Sequence, residues 1–516
     1  MSSFLERLLA YYEWSKDTYQ SFIQPATSHQ LVAFTSYPEH ATFLTTISTH
    51  LAAGHRMLIY GDYDADGMFS SAILYDTLTT LNAKVDVYLP QRYQDGYGIT
   101  LTQMQRAHHE GYALVICIDN GVSQHEALTY AKNVGIDVLV MDHHGCPETL
   151  PPMKALIHPE KDHPHPLARC SGSLALSFSM HMHQSLLPTH LIYAAIATMT
   201  DSMPLIKDNR ALVQLGIEAI NSYIPLSLQP FIQQFPLDEN SLSMMIGPIF
   251  NAIGRIMKDD TIQTVVPYLV SKDRSWVQET AIRFNEINQL RKRRSDDAVK
   301  AWEKDTQPYL IEKIEEVSGL TGLIASKLVM PSRPIVGIFA QDEKHPDHLV
   351  GSLRSIDGID IRQWLQAYQG PLIAFGGHAQ ACGVTVHQDD FQALKSYLKM
   401  CPINQNPPPK KTLVISTRDL TFENLQMFQA LKPFGPGSEE PLLQIHHVPV
   451  NKLTFSKKPP FYLSTSLTPY SSVFSFKLTR ADFIDETEVI LEGRMRLNNY
   501  LQRRIVQFVA DRFLAL

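Results

Sequence analysis

The residues best able to do chemistry are acidic and sit at the ends of apolar runs. Gly61-Asp62-Tyr63-Asp64-Ala65-Asp66-Gly67 places three carboxylates at alternating positions directly after the run MLIY (57–60). Like charges this close repel and raise one another's pKa, so the segment implies a bound cation. Asp119 follows an apolar run in ICIDNG, and Asp142, His143 and His144 follow another in VMDHHG. Asp201 closes the apolar stretch LIYAAIATMT and adds a further donor. Carboxylates and imidazole gathered from several strand ends are the donor set of a di-metal site for Mn²⁺ or Mg²⁺.

Plainer readings explain less. Asp62, Asp64, Asp66 and Gly67 fit positions 1, 3, 5 and 6 of a calcium-binding EF-hand loop, but position 12 is Ile73 and a strand precedes the loop. A solvated acidic turn would account for the first motif in isolation, and a lone His143 or Asp201 is usually structural. Together, at successive element ends, the residues favour a metal centre.

The elements that must position them are legible as alternation. MLIY (57–60), VDVYL (85–89), ALVICID (113–119) and DVLVM (137–141) are aliphatic throughout, as strands buried on both faces are, and helical spacing fills the segments between them. This predicts an α/β fold with a parallel sheet, in which ligands collect beyond the carboxyl ends of the strands. After residue 185 the pattern turns helical, with a long polar helix over 272–303 carrying Arg291, Lys292, Arg293 and Arg294, a run read first as a solvated face. A second α/β region spans 305–400, and CPINQNPPPKK (401–411) reads as a linker. Beyond it LLQIHHVPV, FYLSTSLT, SVFSFKL and TEVILEG predict a small all-β barrel. The expected division is an N-terminal helical arm (1–50), a catalytic α/β domain (51–225), a helical connector (226–304), a second α/β domain (305–400), the linker (401–411) and the barrel (412–516).

At 516 residues the chain is too long for one hydrophobic core. Lys and Arg number 45 against 52 Asp and Glu, so any nucleic-acid surface must be a local groove rather than a global field. The five cysteines include no CxxC pair, which argues against a disulfide framework or a zinc knuckle. Glu6 and Arg7 interrupt the apolar pattern of a signal peptide, and no stretch approaches the roughly 20 apolar residues of a membrane span. The expectation is a cytoplasmic protein with no membrane partner.

The motifs DYDADG, DNG, DHH and TD-x-x-PL, in this order, resemble the phosphoesterase motifs of the DHH superfamily. Further segments resemble RecJ-like single-stranded DNA exonucleases: QRYQDGYGI (91–99), DNRALVQLG (208–216), GPIFNAIGRI (247–256), GLTGLIASKL (319–328), GSLRSIDGIDI (351–361) and FGGHAQACG (375–383). LKPFGPGSEEPLL (431–443) and EGRMRLNNY (492–500) are similar to the OB-like barrel that follows in that family. The resemblance covers most of residues 50–516. It implies a DHH catalytic domain, a DHH-associated domain over 305–400 and an OB-like nucleic-acid-binding domain over 412–516.

The same resemblance implies roles. Asp66, Asp119, His143 and Asp201 would hold one metal ion, and Asp64 with Asp119, helped by Asp62, the second. Asp142 would orient the imidazoles and His144 would face the scissile phosphate. Arg92, Ser352, Arg354, Gly376, Gly377 and His378 would recognise a 5′-phosphorylated end, with Asn251 and Arg255 on further phosphates. The implied activity is 5′ to 3′ hydrolysis of single-stranded DNA to 5′-mononucleotides in recombination and repair. A monomer is expected, with a single-strand binding protein and a helicase as partners the family suggests. Tyr60 stands where the family often has His, and Ile249 where it usually has Arg; Ser438 and Gln502 depart in segments attached to barrel loops. Two other readings are a phosphodiesterase of short oligonucleotides or cyclic dinucleotides, which the C-terminal region opposes, and a silent DNA-binding scaffold, which the intact acidic set opposes.

Overall fold

A computed structural model of the chain describes residues 3–515 apart from 164, 304, 404–410, 457–461, 485 and 499–503. Most of the expected linker, and Gln502, lie outside the described residues. The chain divides into two units, Ala26–Pro407 and a second made of Met1–Pro25 with Pro408–Leu516. The stretch 1–50 read as one helical arm is therefore shared between them.

The larger unit begins with a five-stranded parallel sheet: β1 (Arg56–Tyr60), β2 (Lys84–Tyr88), β3 (Leu114–Ile118), β4 (Asp137–Met141) and β5 (Ala155–Ile157), in the order β2-β1-β3-β4-β5. Four of these are the apolar runs of the sequence, and the three-residue β5 is an addition. The runs are aliphatic because both faces are covered. Met57 and Ile59 enter one core with the helices Ala65–Thr80, Ser171–His183 and Pro188–Thr200, whereas Leu58 and Tyr60 enter another with Leu101–His109 and His125–Val134. The sheet order reverses at β1 and β3, so their carboxyl ends open a crevice, and the acidic motifs stand there.

A helical segment follows, in which the single helix Arg274–Lys300 runs where the polar helix was predicted and packs on Gly247–Ile256. The next sheet is mixed: β6 (Tyr309–Lys313), β7 (Ile335–Gln341), β8 (His348–Ser355), β9 (Ala374–His378) and β10 (Ala381–His387), ordered β6-β7-β8-β10-β9 with only β6 and β7 parallel.

In the smaller unit β11 (Thr412–Ile415), β12 (Leu442–Pro449), β13 (Leu463–Thr468), β14 (Ser471–Ser475), β15 (Glu488–Asn498) and β16 (Ile505–Ala515) form one mixed sheet, ordered β11-β12-β15-β16-β14-β13. The expected barrel strands are all present, and the end strands β11 and β13 do not pair with each other among the described residues. Phe4, Leu8, Leu9 and Tyr19 share its core, which is why the first helices belong with this sheet rather than with the catalytic one. No helix among the described residues is long and apolar enough to cross a membrane.

Close backbone approach sets the acidic loop. A Cβ on Gly67 would lie 2.7 Å from the backbone of Asp62, and one on Gly254 would collide with the carbonyl oxygen of Tyr63. Gly254→Ala should therefore push the helix Gly247–Ile256 off the loop and cost about 1–3 kcal/mol in urea unfolding. Gly111→Ala, at a position with no atom near its Cβ, should cost only what its positive φ demands, about 1 kcal/mol.

Candidate metal centre

Each acidic residue is delivered by the end of a buried element. Asp62 follows β1 directly, and Asp64 caps the helix Ala65–Thr80, its carboxylate accepting the Gly67 N–H at 3.1 Å. Asp119 follows β3 with φ 66°, a left-handed conformation that non-glycine residues avoid and that turns its carboxylate into the crevice. Asn120 holds that turn, donating to the carbonyls of Tyr60, Gly61 and Ile118 at 3.2, 3.0 and 2.9 Å. Asp201 caps the far end of Pro188–Thr200.

These groups converge on one imidazole. His143 Nε2 lies 3.2 Å from Asp119 Oδ1, 3.5 Å from Asp201 Oδ2 and 3.7 Å from Asp66 Oδ2. Ligand atoms each about 2.1 Å from an ion are separated by about 3.0–3.4 Å; the Asp119 oxygen meets that spacing from His143, and the Asp201 and Asp66 oxygens exceed it by a few tenths of an ångström. Asp62, Asp64 and Asp119 form a second close group, and Asp119, His143 and His144 a third. Asp119 thus belongs to the group of Asp62 and Asp64 and, through its 3.2 Å approach to His143, adjoins the group of Asp66, His143 and Asp201.

Electrostatics point the same way. Burial, then the charge of Asp64, raises Asp62 well above the ordinary carboxylate range. Burial followed by Asp66, Asp64, Asp62 and Asp201 does the same to Asp119. Asp66 is pushed up to about 6 by burial and Asp64, although the N–H groups of Ser171 and Gly172 at the start of a helix each donate to it at 2.7 Å. Burial, Asp66 and Asp64 lift Asp201 to about 8. Burial and then His144 hold His143 down at about 4, leaving it neutral, the form that ligates a metal. Asp62 Oδ1 and Asp201 Oδ2 are buried without a hydrogen-bond partner, and buried polar atoms are left unpaired only where something else satisfies them. Oxygen-rich donors with one imidazole suit Mn²⁺ or Mg²⁺.

Asp142 does different work from its acidic neighbours. Its Oδ1 accepts the N–H groups of His143 and His144 at 2.8 and 3.1 Å and His144 Nδ1 at 2.8 Å, while Oδ2 accepts the Val122 N–H at 3.1 Å. Burial opposes its charge, but the His144 side chain and these N–H groups hold its carboxyl below the usual range. Burial likewise opposes charge on His144, and the Asp142 bond overcomes it, holding the imidazole up at about 9. His144 is therefore a cation at neutral pH at the rim of the acidic group.

The guanidinium groups gather beside this centre. Arg92 lies 4.0 Å over the Tyr63 ring and donates to the Gly254 carbonyl at 3.2 Å. The Arg255 guanidinium has no hydrogen-bond or ion-pair partner among the described residues, and burial, then Arg92 and Arg291, push it down to about 10. Asn251 Oδ1 is committed to the Ala65 N–H at 2.9 Å, so this residue braces the acidic loop. On the second sheet the register aligns Ser352, Gly383 and Gly376 in one row and Arg354, Ala381 and His378 in the next, on one face of the sheet, with Gly377 between them. Arg354 donates to Ser326 Oγ at 3.1 Å and Ser352 Oγ lies 3.1 Å from Thr321 Oγ1. Gly376 and Gly383 leave the outer part of that face without side chains.

Sequence reasoning missed three participants. Ser171 Oγ donates to Asp119 Oδ1 at 3.0 Å, and Tyr97 Oη lies 3.0 Å from His144 Nδ1. The tyrosine lies in the segment QRYQDGYGI (91–99), between Gly96 and Gly98. Arg291 is buried against Asn288, at 2.8 and 3.1 Å, while Arg294 pairs with Glu316 and only Lys292 and Arg293 face solvent, so the basic run is not one solvated face. Tyr60 points into the apolar layer, its hydroxyl on the Gly98 carbonyl at 3.4 Å, and Ile249 is buried in the main core.

A carboxyl held high in the folded chain contributes stability while protonated and loses it as pH rises through the folded value. In EDTA, Asp201→Asn should therefore melt above the wild type by a margin that grows from pH 4 to about pH 8, and with Mn²⁺ at pH 8 the order should reverse. A margin that does not change with pH would count against this arrangement.

Residues 56–199 match the DHH family, N-terminal domain, and residues 308–401 the DHHA1 domain. The chain is 30% identical over 417 residues to the single-stranded-DNA-specific exonuclease RecJ of Bacillus subtilis, covering 77% of this chain and 52% of that one. It is 27% identical over 521 residues to RecJ of Escherichia coli, covering 89% and 87%. The chain thus spans about half the length of the Bacillus relative and most of the Escherichia one. The crystal structure of Thermus thermophilus RecJ in complex with Mn²⁺ superposes with a TM-score of 0.82 at 22% identity, over 99% of this chain and 76% of that one. With the acidic motifs at the strand ends, the chain carries a DHH N-terminal domain followed by a DHHA1 domain and is similar to RecJ exonucleases in sequence and fold.

Proposed function

We propose that the protein is a metal-dependent exonuclease that degrades single-stranded DNA from a 5′-phosphorylated end. The observation that carries this reading is the shared placement of Asp119 between two ligand groups, Asp66-His143-Asp201 and Asp62-Asp64, beside unpaired guanidinium. Buried carboxylates with orphaned oxygens fit divalent cations, and RecJ structures have been solved with Mn²⁺ and with Mg²⁺. Asp66, Asp119, His143 and Asp201 would hold one ion and Asp62, Asp64 and Asp119 the other. When bound, the ions supply Lewis-acid activation of water and of the phosphodiester.

The chain's own residues do the rest. The cationic His144, held by Asp142 and touched by Tyr97, would stabilise negative charge that develops on the phosphoryl group. Arg255 and Arg92 offer donors to phosphate oxygens at the edge of the acidic group, where a polyanion relieves the repulsion between them. Ser352 and Arg354, with the bare backbone at Gly376 and Gly377 and the His378 imidazole, supply a cradle for a terminal phosphate on the second sheet.

Time-resolved product analysis on 3′-labelled, 5′-phosphorylated single-stranded DNA with Mn²⁺ tests the reading. Mononucleotides should appear from the 5′ end of the single strand and not from a duplex. Asp119→Ala should lower the rate by about 10²–10³-fold or more, and Arg255→Ala should weaken catalytic efficiency about 10–100-fold. Binding without cleavage would make the chain a scaffold, and cleavage restricted to very short oligomers would make it an oligonucleotide phosphodiesterase.

A further inference from the structure

We infer that Ser171 is a positioning residue of the metal centre: its hydroxyl holds the Asp119 carboxylate in the orientation that faces His143, and the affinity for divalent metal depends on that bond. The inference rests on the metal-dependent reading above and gives a neutral side chain a role within it.

The first residue of the helix Ser171–His183 reaches two acidic groups at once. Its N–H donates to Asp66 Oδ2 at 2.7 Å, and its hydroxyl donates to Asp119 Oδ1 at 3.0 Å. Oδ1 is also the Asp119 oxygen that lies 3.2 Å from His143 Nε2. A carboxylate oxygen has two lone pairs, so Oδ1 can accept the hydroxyl and still offer a pair to an ion. A hydrogen bond made from outside to a ligating carboxylate fixes its orientation and so tunes the affinity of the site.

The hydroxyl is not spent on its own helix. In the same helix Ser173 and Ser177 turn theirs back to the carbonyls of Cys170 and Leu174, at 2.9 and 2.7 Å, as serines within helices commonly do. Ser171 turns away from the helix and toward the carboxylate instead. Its target has more need of a donor than most. Asn120 clamps main-chain carbonyls around the Asp119 turn and leaves the side chain free to rotate. Asp62, Asp64, Asp66 and Asp201 all oppose the Asp119 charge, so repulsion favours any rotation that carries the carboxylate away from them. The Ser171 hydroxyl is the one neutral donor to that carboxylate among the described residues. Ser171 is also wholly buried, so bulk water does not replace the hydroxyl once it is removed.

The test counts bound Mn²⁺ by electron paramagnetic resonance as the ion is titrated into the full-length protein, with strand cleavage followed across the same Mn²⁺ range. Ser171→Ala should bind Mn²⁺ about 10–100-fold more weakly than the wild type and need correspondingly more Mn²⁺ for half-maximal cleavage. Ser173→Ala, which removes a buried hydroxyl from the same helix without touching an acidic ligand, should bind Mn²⁺ as the wild type does. Ser171→Thr and Ser171→Val add the same bulk and differ in the hydroxyl, so the threonine variant should bind the ion about tenfold more tightly than the valine variant, whatever either costs in stability. Equal Mn²⁺ affinity in the wild type, Ser171→Ala and Ser171→Val would overturn the inference and leave the exonuclease reading standing. Failure of the wild type to bind Mn²⁺, or undiminished binding by Asp119→Ala, would sink both.

Discussion

Mutual repulsion among buried carboxylates is the constraint on which the larger unit is built. Asp62, Asp66 and Asp119 are nearly inaccessible to solvent, Asp64 and Asp201 stand beside them, and Asp62, Asp66, Asp119 and Asp201 are raised by their neighbours' charge as well as by burial. A sheet of both-face-buried strands is what makes such a gathering possible. Its core fixes the strand ends so firmly that the acidic loops cannot swing apart into solvent. The left-handed turn at Asp119, clamped by Asn120, is the local form of the same coercion.

The surrounding elements moderate the repulsion without cancelling it. The first N–H groups of Ser171–His183 hold Asp66, and Ser171 and Gly67 hold Asp119 and Asp64. Asp142 is removed from the problem altogether, because four donors keep it ionised and turn it into the organiser of the His143-His144 loop. The cations that could neutralise the cluster are held at its edge instead. Arg255 crowds against Arg92 and Arg291 while its own guanidinium goes unpaired. Acid gathered without cations and base gathered without anions, side by side, is a surface poised for metal ions and for a phosphate ester.

Much of the fold was legible because burial leaves a periodic trace. Four strands of the parallel sheet, the long connector helix and the β-rich C-terminal segments follow from runs and alternation. β5 left too short a trace to read. The helix Phe4–Tyr12 looks like any amphipathic helix, and only its contacts with Leu413, Ile415 and their neighbours assign it to the C-terminal sheet.

The sequence alone determined which chemical groups are available and at which strand ends they stand, because a residue's type and its place after an apolar run are local properties. Tertiary structure decided how those groups divide their labour. Nothing local separates Asp142, saturated by N–H donors, from Asp201, whose Oδ2 has none, or Asn251, whose Oδ1 takes a backbone N–H, from Arg255, whose guanidinium has no partner among the described residues. Nor does spacing reveal that Ser171, more than fifty residues from Asp119, completes its surroundings, or that Arg291 turns inward from a basic run. Pairing and burial are properties of residues distant in the chain, and only the packed molecule brings them within reach of one another.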